Sequence, residues 1–129
     1  MRNALLWTLQ ILTAGVLGYA AAPKLMGAAD SVALFASIGM EPTGRVLTGV
    51  LELSAAVMLL SPTAACYGAL LAAGVMSGAV MGHLTTLGIE GPRRMMFLMA
   101  LGVLAANLAI IYLRRREIPV IRHMFVDED

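Results

Sequence analysis

The sequence predicts an all-α membrane protein: a bundle of four transmembrane helices with a short interfacial helix between spans one and two. Of its 129 residues, 60% are apolar and 13% charged, against about 45–50% and about 25% in soluble domains. Mean hydropathy is +0.85. The apolar residues fall into four runs of span length separated by short breaks, and spans of about 20 residues use up nearly the whole chain. One membrane domain over residues 1–116 follows, with residues 117–129 left as a cytoplasmic tail.

The first run, residues 3–22, follows Met1-Arg2 and ends in Ala20-Ala21-Ala22, a pattern shared with cleavable signal peptides. Its length, the polar Gln10 and Thr13 inside it, and Pro23 at the would-be first mature position favour an uncleaved span. Residues 24–40 are less apolar. After Asp30, an N-cap candidate, Val32, Phe35, Ala36 and Gly39 recur at helical spacing, and Gly39 suits a helix end. This helix is too short to span. Each later span opens near a proline (Pro42, Pro62, Pro92), where the missing N–H costs nothing. The spans are then 43–60, 62–86 and 92–113, the middle two forming a tight antiparallel hairpin about Ser61-Pro62. Gly74, Gly78 and Gly82 give span three a flat ridge, expected to serve close packing inside the bundle in preference to a dimer face.

With the N-terminus inside, Arg2, Arg114, Arg115, Arg116 and Arg122 are cytoplasmic, and Lys24, Arg45, Arg93 and Arg94 lie outside. The triple arginine directly after span four is the strongest determinant of orientation. Both termini are therefore expected in the cytoplasm and the protein in the cell (inner) membrane.

Composition excludes several function classes. The net charge is +1 and the basic residues form no stripe, which argues against nucleic acid. Cys66 is alone, so there is no CxxC pair, disulfide or thiolate metal site. Electrons would have to pass through something the protein binds. No Ser/His/Asp set, paired carboxylates or phosphate loop is present, so a self-contained hydrolase is not expected. No metal site is expected either. The ten methionines, among them Met76, Met81, Met95, Met96 and Met99, read as flexible core filler, and His123 lies in the tail, away from His83.

One residue stands out. Glu52 sits midway along the apolar run TGRVLTGVLELSAAVMLL. A charge at mid-bilayer costs about 2.5–3.5 kcal/mol on insertion scales, which makes such an acid a functional-site candidate in need of a partner. Counting helical rise puts Thr13 and Asn107 near its level and Gln10 a turn lower, facing Gly74. Buried polar groups in lipid must meet each other or a ligand, so this layer is either a structural hydrogen-bond cluster or a ligand or proton site. On span two, Arg45, Thr48 and Glu52 share a stripe running in from the outer surface. Lys24 can reach inward along its stem toward Glu52; the two then form a buried ion pair, or, where desolvation dominates, Glu52 is a neutral hydrogen-bond donor or proton carrier. His83 and Arg45 would guard the mouth. Interfacial snorkelling of Lys24 and Arg45, and a solvated His83, are the plainer alternatives.

The ordered fragments Ala22-Pro23-Lys24-Leu25, Phe35-x-x-x-Gly39, Gly49-Val50-Leu51-Glu52-Leu53, Leu59-Leu60-Ser61-Pro62-Thr63 and Met76-x-x-Ala79-x-x-x-His83 resemble the DoxX / DoxX-like family over residues 10 to 110. Each fragment alone is low-specificity apolar sequence; the ordered Lys, Glu and His are more telling. The resemblance implies a small four-span membrane protein in which Lys24, Glu52 and His83 match the family's polar landmarks. It also implies two kinds of role, since some relatives are tied to quinone-coupled redox complexes and others act in membrane-protein assembly. The Ala-Pro at the end of span one and the arginine-rich tail depart from the family pattern.

The leading expectation is an accessory subunit, or a quinone- or lipid-type ligand binder, of a membrane redox complex. Its site would comprise Glu52, Lys24, His83, Arg45, Thr48, Gln10, Thr13 and Asn107. Expected partners are the lipid bilayer, a quinone or lipid ligand, and redox-complex subunits or further copies of the chain. The alternative is a non-enzymatic assembly or interaction protein whose polar layer is structural. A transporter is disfavoured because no internal repeat or broken span is visible.

Overall fold

The computed structural model describes residues 2–118, which are helical throughout apart from short turns. The expected tail, apart from Glu117 and Ile118, lies outside the described residues, as do Arg122 and His123. In order, the helices are α1 (Arg2–Met26), α2 (Ala29–Ser37), α3 (Thr43–Leu59), α4 (Ala65–Gly82) and α5 (Pro92–Leu113). A π-helical turn, His83–Leu87, prolongs α4, and a 3-10 turn, Arg115–Glu117, follows α5.

Packing runs in chain order. α1 lies against α3, α3 against α4, and α4 against α5, while α5 returns to α1 along a sparser seam and α2 rests on α1 and α3. The core is built largely from small residues, Ala14, Ala55, Ala56, Ala69, Ala72 and Ala100 among them, around Leu17, Leu59 and Ile110. Small side chains let helix backbones approach where lipid removes the hydrophobic drive to associate. The outside is apolar as well, with Ile11, Leu12, Val57 and Leu108 exposed. A surface of that kind is at home in lipid and a liability in water. Among the described residues, three helices are long and apolar enough to cross a membrane: α1, α4 with its π turn, and α5. At 17 residues α3 is shorter and carries Arg45 and Glu52.

The helix ends differ from the sequence expectation in ways the local chemistry explains. α1 does not stop at Ala22 but runs through Pro23 to Met26. Proline removes one i→i−4 hydrogen bond and crowds the carbonyl behind it, and Lys24 Nζ donates to the neighbouring Ala20 carbonyl at 3.0 Å. Gly39 (φ 71°) ends α2 as its position suggested, and Gly88 (φ 81°) turns the chain out of the π turn. Pro92 opens α5 at its first turn. Pro62, by contrast, sits in the turn before α4, where Ser61 N–H caps Met58 at 3.0 Å.

The glycine ridge faces the other way from expectation. A Cβ at Gly74 or Gly78 would meet nothing within 4 Å, because both look out of the bundle. Close packing falls instead to Gly68, where a Cβ would lie 2.9 Å from Leu59 N and 3.0 Å from Ala55 O. α4 is apolar nearly all round, so its sequence does not select an inner face.

Candidate functional site

Glu52 is 2% exposed, on the face of α3 that packs on α1. Its partner is Lys24, whose Nζ lies 3.1 Å from each carboxylate oxygen. The ammonium donates to Glu52 Oε2 and to the Ala20 carbonyl at 3.0 Å, with Oε1 in ion-pair contact beside them. Gly49, one turn before Glu52, makes the approach possible: a Cβ there would stand 2.9 Å from Leu25 Cγ and 3.2 Å from Lys24 Cβ.

Arg45 closes the same end. Its Nε donates to both Glu41 oxygens at 3.0 and 2.8 Å, and its Nη1 donates to the Lys24 carbonyl. The guanidinium thereby fixes the backbone that carries the ammonium. Thr48 donates to the Gly44 carbonyl at 2.7 Å, within its own helix.

Gln10, Thr13 and Asn107 do not join Glu52. Gln10, fully buried, donates to the Leu59 carbonyl at 2.8 Å and accepts from Arg114 Nε at 2.9 Å. Arg114 in turn holds Glu117 at 2.9 and 3.0 Å. With Gly49 beside Lys24 at one end and Leu59 bonded to Gln10 at the other, α1 and α3 run antiparallel, and Thr13 falls on the order of 10 Å along the axis from Glu52. Asn107 lies two turns before Arg114 on α5 and donates to its own Val103 carbonyl at 2.8 Å. Its Oδ1 is buried without a partner. The single expected layer is therefore two clusters, one at each end of the α1–α3 interface. Counting depth on each span from its own end, as though the ends were level, had placed them together, whereas the inner end of α3 stands beside Gln10, well inside α1.

His83 opens the π turn, buried at 4%. Its Nδ1 is 3.1 Å from the Gly88 carbonyl, and its ring meets Phe97 edge-on at 5.9 Å. Gly68 against Ala55, Met58 and Leu59 sets the α3–α4 register, which leaves His83 about 15 Å along the axis from Glu52. It packs between α4 and α5 and does not stand free at a mouth.

Three residues absent from the expected set prove central: Arg114, Glu117 and Glu41. The i,i+4 spacing of Glu41 and Arg45 and the i,i+3 spacing of Arg114 and Glu117 were readable as helix pairs. The inward turn of Arg114 was not, because it stands in a run of three arginines. Among the described residues no group of three His, Cys, Asp or Glu side chains converges to hold a metal. One surface groove follows Leu87, Gly88, Pro92 and Arg93, and another Pro42, Val46 and Val50; neither is lined by Glu52 or Lys24.

Compared with known proteins, the chain matches the DoxX-like family over residues 8–108. No curated protein and no solved structure matches it. The family match and the apolar helices together make this a multi-pass membrane protein in contact with the lipid bilayer. The match extends over most of the chain and takes in Lys24, Glu52 and His83, and the protein therefore belongs to the DoxX-like family.

Proposed function

We propose that the protein is a non-enzymatic assembly or interaction subunit of the inner membrane. It is a four-span bundle, with residues 1–116 as its membrane domain, α2 at the interface, and both termini and the tail 117–129 in the cytoplasm. α3 at 17 residues reaches about 26 Å, enough to cross a core of about 30 Å with slight thinning. The observation that carries the functional reading is the closure of the Lys24–Glu52 pair: both carboxylate oxygens face the ammonium at 3.1 Å. A carboxylate so engaged holds two helices together and has its charge met within the bundle. The other buried polar groups act alike, Gln10 and Arg114 joining α1, α3 and α5.

A second reading draws on a different observation. The Lys24 side chain is 15% exposed beside a Glu52 side chain of 3%, so the pair is reached from one side. A quinone- or lipid-type head group approaching there would meet the ammonium first, as in an accessory subunit of a redox complex.

Native mass spectrometry of detergent-purified protein, with quinone extraction of the same sample, separates the two. The structural reading expects no stoichiometric quinone, and a Glu52→Gln variant that loses thermal stability. A stoichiometric quinone, lost in a Glu52→Gln variant of unchanged stability, overturns it in favour of the ligand reading.

A further inference from the structure

The turn that joins α4 to α5 borders a groove of about 490 Å³, lined by Leu87, Gly88, Ile89, Glu90, Pro92 and Arg93. Sites for small ligands run from about 300 to 1,000 Å³, so the groove has room for one. Its walls are braced. The Gly88 carbonyl faces His83 Nδ1 at 3.1 Å, and Arg93 Nη1 donates to the Leu87 carbonyl at 2.6 Å. Gly88 and Gly91, at φ 81° and 62°, take the left-handed conformation that the turn requires. Two carbonyls that would repel an anion are thereby engaged within the protein.

One carboxylate and one guanidinium line this groove without pairing. Neither Glu90 nor Arg93 has an ion-pair partner among the described residues. A neutral carbonyl takes one of the five donors of the Arg93 guanidinium and leaves its charge unmet. Both signs are therefore on offer in one groove, which suits an occupant that carries both. Leu84, Ile89 and Met95 flank it, 59%, 44% and 63% exposed, between two helices apolar enough to cross a membrane. The occupant thus combines a zwitterionic head with an apolar tail. A quaternary ammonium has no N–H for a carboxylate, and no aromatic ring lines the groove to hold one by its face. A head group with negative charge alone would face Glu90. We infer that Glu90 and Arg93 form a binding site for the head group of a phosphatidylethanolamine, Glu90 accepting from its primary ammonium and Arg93 donating to its phosphate. The site is independent of whether Glu52 meets a ligand.

The test is native mass spectrometry of the detergent-purified protein titrated with phosphatidylethanolamine, phosphatidylcholine and phosphatidylglycerol of identical acyl chains. Phosphatidylethanolamine is expected to be retained at a several-fold lower lipid-to-protein ratio than the other two. Glu90 makes no bond within the protein that its loss would break, so Glu90→Gln keeps the fold and should lower the preference over phosphatidylcholine by about two- to fivefold. Arg93→Gln should weaken retention of both of these lipids alike, since they share the phosphate, and Arg2→Gln at the other end of the bundle should change neither. Equal retention of phosphatidylethanolamine and phosphatidylcholine by the wild type, or an undiminished preference in Glu90→Gln, overturns the site. Strongest retention of phosphatidylglycerol overturns it in favour of a purely anionic ligand on the arginines, and retention of none of the three overturns it in favour of a protein partner.

Discussion

Gln10 and Arg114 stand 104 residues apart in sequence and meet at 2.9 Å inside the protein. The same glutamine caps α3 through the Leu59 carbonyl at 2.8 Å, so one neutral side chain within α1 joins it to the ends of α3 and α5. Its amide donates to one and accepts from another, which no charged residue there would do. Replacing Gln10→Leu removes both bonds at nearly constant volume and strands a buried guanidinium and a helix-end carbonyl. A double-mutant cycle with Arg114→Met, read by thermal unfolding, is expected to give a coupling of about 1–3 kcal/mol.

The Lys24–Glu52 pair should behave as a buried ion pair does. Glu52→Gln alone leaves the ammonium uncompensated and is expected to cost about 3–5 kcal/mol, whereas the apolar double substitution Lys24→Met/Glu52→Leu recovers most of it. Cys66, 1% exposed in the core, supplies the readout, since its thiol meets a maleimide only once the helices part.

Two glycines of α4 should respond oppositely to the same change. Gly68→Ala sets a methyl group against α3 backbone atoms at 2.9 and 3.0 Å, which cannot give as a side-chain tip would, and overpacking of this kind costs about 1–3 kcal/mol. Gly74→Ala meets nothing within 4 Å, and melting temperature should hold or rise through the better helix propensity of alanine.

Asn107 is the counter-case to Gln10. With Nδ2 turned back on Val103 and Oδ1 unpaired, it contributes an unmet acceptor to the interior. Asn107→Leu should leave the protein as stable or more so. A marked loss in the same unfolding measurement would mean that Oδ1 has a donor in the membrane.

Sequence and structure agree best where a single residue type limits the choices. Glu52 was legible because a carboxylate in an apolar run demands a partner, and Lys24 was the cation within reach. Helix α5 was legible to the residue, with Pro92 at its start and Arg114 just past its end. Depth was less so. Rise per residue is a fixed length, but comparing depth between helices assumes that their ends are level, and the 17-residue α3 ends beside Gln10, well inside the 25-residue α1. Thr13 was thereby set level with Glu52. The facing of α4 was not legible at all, since a helix apolar on every side has no periodicity to orient it. Arg114 was hidden for a different reason: in a row of three identical side chains, only packing against Gln10 distinguishes the one that turns inward.

The order of Lys24 and Glu52 along the chain bears on how the protein is made. Lys24 is synthesised 28 residues before Glu52, on a helix apolar enough to cross a membrane unaided. When α3 leaves the ribosome, shorter and bearing a carboxylate, its counter-charge is already waiting in the bilayer. The least lipid-soluble helix thus enters last of the pair, against a neighbour that neutralises it. A nascent chain cut short before Glu52 would leave the Lys24 ammonium with no carboxylate beside it.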